Sequence, residues 1–163
     1  GLNCPPGDFQ ILDARRYLIY TEATALIRKG KLADALKKME EIAPTDRTTL
    51  DINHRFGVLY LRSGQLEEAR AALGAAQRID PTDPYLRLHL GFVDLQEGDL
   101  PGYAAVVASL LEELPDDHAL HAELVCRQGI NIRNQDEEKG RSLMEEGCTL
   151  GHEPCCGMLE NQK

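Results

Sequence analysis

Apolar and polar positions alternate with helical spacing along most of the chain, and the pattern is broken at even intervals. Gly30, Gly64 and Gly98 stand 34 residues apart, inside the similar phrases RKGKLADALKKM, RSGQLEEARAAL and QEGDLPGYAAVV. A glycine between two amphipathic runs ends one helix and opens a turn into the next. A second break follows each unit, APTD at 43–46, DPTD at 80–83 and LPDD at 114–117. Its Asp and Thr can cap the following helix, and Pro84 suits a first-turn position. Helix, short turn, helix and capped turn, repeated every 34 residues, predict an all-α solenoid of antiparallel hairpins.

Composition narrows the choice of partner. The chain has 163 residues, 42% hydrophobic and 28% charged, enough for one ordinary folded domain spanning 1–163. Lys and Arg number 18 against 27 Asp and Glu, a net charge of −9, which argues against nucleic acid. No run is long and apolar enough to predict a membrane span. Five cysteines (Cys4, Cys126, Cys148, Cys155, Cys156) leave one over after pairing, and three fall in the last sixteen residues. Buried cytoplasmic thiols are one reading. Clustered cysteines fit an oxidised, periplasmic or secreted setting better. Cys4 lies in a Pro/Gly segment that reads as a flexible entry, and Leu2-Asn3 makes a poor lipid-attachment context.

The offsets within each unit resemble the tetratricopeptide repeat (TPR) family. Residues 50–83 carry the match most clearly, with Phe56, Gly57 and Tyr60 on the first helix and Ala69, Leu73, Ala76 and Pro81 after it. Residues 84–117 keep Leu90, Gly91, Gly98 and Pro115 but have Tyr103 where the family has a small Ala. Residues 16–49 keep Ala23, Leu26, Gly30, Ala35 and Met39, while Glu22 occupies a large-apolar position and needs a partner or a wet edge. In this pattern Gly57 and Ala69 let two helices of a hairpin approach, and Phe56, Tyr60 and Leu73 fill the seam with the next hairpin. The resemblance implies a right-handed superhelix.

Residues 118–151 change wording. DEEKGRSLMEEGCTLGHEPCC is similar to a Sel1-like repeat, with Lys139, Leu143, Met144, Gly147, Cys148, Gly151 and His152 on its pattern. The cysteine-rich branch of that family pairs cysteines eight apart, which implies a Cys148–Cys156 disulfide holding a capping helix over 152–161. A metal site of Cys148, His152, Cys155 and Cys156 is the alternative, but it lacks a C-x2-C knuckle. No metal is therefore expected.

Catalytic motifs are missing from the sequence: no G-x-S-x-G, H-E-x-x-H, P-loop, dinucleotide fingerprint or S-x-x-K occurs. Neither an enzyme nor a cofactor is expected. By the TPR resemblance, the first helices of successive units line a concave groove that binds a peptide or helix of a partner protein. Its residues would be Tyr17, Tyr20 and Arg28, then His54, Arg55, Val58 and Arg62, then Tyr85, His89 and Phe92. Thr24, Ile27, Asp51, Leu61, Leu88, Leu95 and Gln96 fall at the same offsets. Aromatics and Arg carry much of the binding energy at interfaces, and three Arg on one face of an acidic chain favour an acidic or C-terminal peptide. Tyr20 and Thr24 replace the Lys and Asn of the carboxylate clamp for chaperone tails. A structural module of a larger envelope or secretion complex, working through its convex face or ends, is the runner-up.

Overall fold

The computed structural model describes residues 6–160, with side chains from Ala14 to Glu160; Cys4 lies outside the described residues. The described chain is an all-α helical-repeat solenoid. Its helices are α1 (Pro6–Arg28), α2 (Leu32–Met39), α3 (Leu50–Arg62), α4 (Leu66–Ile79), α5 (Pro84–Glu97), α6 (Leu100–Glu113), α7 (His121–Ile132), α8 (Glu137–Thr149) and α9 (Glu153–Glu160). A 3-10 turn, Pro44–Asp46, lies between α2 and α3.

The same turn chemistry recurs at the helix ends. Gly30, Gly64, Gly98 and Gly151 have φ of 74°, 74°, 92° and 99°, in the left-handed region that a side chain disfavours. After each of the four, the next N–H reaches back five residues: Lys31 to Leu26 O, Gln65 to Tyr60 O, Asp99 to Asp94 O and His152 to Gly147 O, at 2.8–3.0 Å. This satisfies the last carbonyls of α1, α3, α5 and α8. Side chains cap the starts of α3, α6 and α8: Thr49, Asp99 and Asp136 accept from Ile52 N, Gly102 N and Lys139 N. Asp83 accepts from Tyr85 N and Leu86 N at the start of α5.

Contacts divide the molecule into two compact units, meeting between Val93 and Asp94 within α5. In the first, α1 packs on α2, α2 on α3 and α3 on α4. One core cluster joins Ile19 and Ala23 of α1, Leu36 and Met39 of α2, and Phe56 and Leu59 of α3. Another joins Leu73 and Ala76 of α4 to Leu86 and Val93 of α5. Tyr60 touches both clusters. Phe56 thus packs back on the first hairpin, not on the following one, while Leu73 reaches α5 as the repeat pattern implies. α2 ends at Met39, and a polar network fixes the loop that replaces its last turn. Buried Asn53 donates to Arg47 O (2.9 Å) and Thr49 O (3.0 Å), and the Arg47 guanidinium covers the Phe56 ring at 4.0 Å. Glu22 has its partner in Lys38 Nζ at 2.7 Å, on a wet edge.

In the second unit α6 packs on α7, α7 on α8 and α8 on α9. Tyr103 is buried there, and its hydroxyl accepts from Arg127 Nη1 at 3.2 Å. The α7–α9 contact is a covalent one. Cys126 of α7 and Cys155 of α9 are bonded with Cα atoms 6.0 Å apart, and Cys148 of α8 is bonded to Cys156 with Cα atoms 4.9 Å apart.

Candidate functional site

A cavity of about 410 Å³ opens on the first unit between α1, α3 and the α5 stretch up to Val93. Helical spacing builds its walls. Tyr20, Ala23, Thr24 and Ile27 share one face of α1, and Asp51, His54, Arg55 and Val58 share one face of α3. Met39 and Leu59 close the floor, and His89 of α5 completes the rim. The lining is mainly apolar, with polar groups contributed by α1, α3 and α5.

Those polar groups are mutually organised. Arg55 Nε donates to both oxygens of Asp51 at 3.0 Å, and its guanidinium lies 4.6 Å from the Tyr20 ring centroid. The fixed orientation of Arg55 thus comes from an i, i+4 ion pair and a cation–π contact. Burial, reinforced by the Asp51 charge, pushes the Tyr20 phenol up to about 12, with Arg55 and Arg16 pulling the other way. Tyr20 is therefore neutral at physiological pH. His54 Nε2 meets His89 Nδ1 at 3.0 Å, the rings edge to face with centroids 4.9 Å apart. His89 Nδ1 also contacts the Tyr85 carbonyl at 2.7 Å, and Phe92 braces the His89 ring edge-on at 5.8 Å. Burial lowers the His54 pKa, as does Arg55 more weakly, while Asp83 and Asp51 oppose the shift. Neutral His54 is the form that this contact favours.

Of the ten groove residues expected from sequence, Tyr20, His54, Arg55, Val58 and His89 line this cavity. Tyr17 lies beside it in a second hollow with Tyr20, Asp51 and Arg55. Arg28 and Arg62 are exposed and do not line it, and Tyr85 is 40% exposed at the start of α5. Leu61 and Leu88, expected on the same face, are buried in the core because each faces a packed neighbour. Phe92 is half-buried, packed between His89 and the Leu73–Leu86 cluster. Met39, Ala23 and Leu59 were not among the groove positions, although Met39 and Ala23 stood out as repeat-pattern residues. Small Ala23 on α1 leaves room that a larger residue would fill.

At the other end, the four described cysteines are all taken up in the two bridges, so the Cys–His metal alternative has no free thiolate among them. Among the described residues no group of three or more His, Cys, Asp or Glu is placed to hold a metal ion. No helix among them is long and apolar enough to cross a membrane.

The family model for the tetratricopeptide repeat matches residues 26–87 and again 60–125, more than half of the chain. The chain belongs to the TPR family. Solved structures similar to it include MamA residues 41 to the end from Desulfovibrio magneticus RS-1, at a TM-score of 0.62 and 17% identity over 84% of this chain and 76% of that one. A double mutant of MamA from RS-1 gives the same score and identity, over 84% and 75%. A tetratricopeptide repeat protein from Parabacteroides merdae ATCC 43184 matches at 0.58 and 15%, over 85% and 54%. These likenesses show the shared fold. No curated protein matches the sequence.

Proposed function

We propose that this TPR protein is an adaptor or assembly factor that takes a peptide or helix of a partner protein in the α1–α3–α5 groove. Family membership supports a protein-interaction or scaffold role, and the single observation behind the finer reading is the cavity itself. Three first helices contribute to one apolar-floored hollow, rimmed by an oriented Arg55 and a histidine pair. Such a surface accepts an apolar anchor in its floor and pairs a carboxylate at its rim. The reading is tested by affinity capture from native extract, comparing wild type with Val58→Trp, which fills the hollow from its wall. Selective loss of the captured protein from the variant, at unchanged helicity, is the expected result. Equal capture would contradict the reading.

Catalysis has no part in this proposal, since its residues bind and orient. The two bridges favour an oxidising compartment, periplasmic or secreted. We assign residues 118–151 to a Sel1-like unit on the same grounds as the sequence does. The support is its close α7–α8 packing, where a Cβ at Gly129 would come within 2.6 Å of Gly140 O.

A further inference from the structure

We propose that the α1–α3–α5 cavity takes its occupant as a carboxylate beside an apolar side chain, together with one proton that is taken up at His54. The proposal rests on the groove reading above and adds what the groove selects and how it is regulated. Its foundation is the proton inventory of the histidine pair. A carbonyl oxygen only accepts, so the 2.7 Å contact with Tyr85 O assigns the hydrogen to His89 Nδ1. The 3.0 Å contact of that same nitrogen with His54 Nε2 then requires His54 Nε2 to be bare. A protonated His54 would set two N–H groups head to head. Its ring has to turn from His89, and the new N–H needs another acceptor.

Neither carboxylate near His54 supplies a charged acceptor without giving up a bond it already makes. On its own helix, Asp51 is held by Arg55. At the start of α5, Asp83 caps Tyr85 N and Leu86 N. From α1 the cavity receives Tyr20 and Thr24, whose neutral hydroxyls can accept an N–H but carry no charge to offset an imidazolium, and from α5 His89, already committed to Tyr85. An occupant that brings its own carboxylate resolves the shortage, because it accepts the His54 N–H and offsets the imidazolium charge. Its apolar part has the walls of Ile27 and Val58 and the floor of Met39 and Leu59 to rest on. Arg55, the one arginine among the described residues of the cavity lining, adds a fixed positive group beside it.

Linkage fixes the sign. Burial holds the His54 pKa low in the empty protein, and a bound carboxylate raises it, so binding takes up a proton and strengthens as pH falls from 8 towards 5.5. The probe is an N-acetylated pentapeptide with one leucine between two pairs of glutamates, compared with its glutamine counterpart. Titration calorimetry at both pH values gives affinity and proton uptake, and NMR follows the His54 ring. The expected result is severalfold tighter binding of the glutamate peptide at pH 5.5 than at pH 8 for a one-unit rise in the His54 pKa, with about tenfold the limit reached only below both pKa values. His54→Gln is expected to bind without that trend. Peptide binding that Val58→Trp abolishes, but that shows no pH trend or no change in the His54 titration, would overturn the proton coupling and leave the groove reading standing. Equal binding of the glutamine peptide would overturn the carboxylate. Failure of both peptides to bind at either pH would overturn the whole proposal, and the capture experiment would then decide the groove reading separately.

Discussion

Leu73 of α4 fills the space that a side chain at Gly57 of α3 would need. The missing Cβ lets Leu73 lie against the α3 backbone, where it is fully buried, and from there it reaches Leu86 and Val93 of α5. One glycine–leucine pair thus sets both the closeness of a hairpin and its contact with the following helix. Leu73→Ala should cost ~2–4 kcal/mol in a denaturant melt, from lost burial plus the cavity left behind. Gly57→Ala should cost ~1–3 kcal/mol through overpacking. Because Leu73→Ala removes the obstructing atoms, the double variant should be less destabilised than the sum of the two. Additive losses would mean that the two sites act independently.

The two bridges should differ in accessibility. Cys126 and Cys155 are buried, whereas Cys148 and Cys156 are partly exposed. Graded reduction with alkylation and peptide mapping should open Cys148–Cys156 first. Replacing the buried pair should cost more stability, about 3.6 against about 2.5 kcal/mol by loop entropy, since the separations are 29 and 8 residues. Simultaneous alkylation of all four thiols without reductant would contradict both bridges.

His54 predicts a pH dependence of stability. Its pKa is lowered by burial in the folded chain and ordinary in the unfolded one. At pH above the unfolded value of about 6.5 both states are neutral and the full stability is present. Below it the unfolded chain binds the proton first, so stability falls and levels off once pH passes the folded pKa. Chemical denaturation between pH 8 and 5 should show this decline, and His54→Gln should lessen it.

Arg55→Glu should weaken partner binding about tenfold, ~1.4 kcal/mol, while helicity by circular dichroism stays the same. The substitution places a second carboxylate one turn from Asp51 and removes the cation over Tyr20. Higher salt should weaken wild-type binding and affect the variant less.

Local rules account for what the sequence made legible. Gly30, Gly64 and Gly98 were readable as helix ends because a left-handed turn requires them. Of the Asp and Thr in the second breaks, Asp83 caps α5, whereas α3 is capped by Thr49 and the N-cap of α7, Leu120, makes no side-chain bond. The buried Gly57, Ala69, Leu73 and Ala76 of the middle hairpin were legible through the TPR resemblance, whereas Phe56 packs on the first hairpin instead of the next. The cavity was legible only in part, since offsets name a face but not its depth. Tyr85 and His89 share a face of α5, yet the cavity takes His89, one turn further along, and leaves Tyr85 exposed. Phe92 is drawn to its neighbours by an edge-on ring contact and the Leu73 cluster, which no spacing rule predicts. Tyr103 breaks the small-residue rule because Arg127 satisfies its hydroxyl from α7. The Cys126–Cys155 pairing depends on where α9 folds back, a tertiary fact with no local signature.

The most direct measurement of the central claim is site-specific photo-crosslinking with a benzophenone amino acid, placed at Val58 in the cavity wall and at Glu67 on the exposed face of α4. The account predicts a crosslink from position 58 that maps to one acidic, apolar-anchored segment of a partner, is lost when Arg55→Glu is added, and has no equivalent at position 67. A crosslink from position 67 with none from position 58 would contradict it.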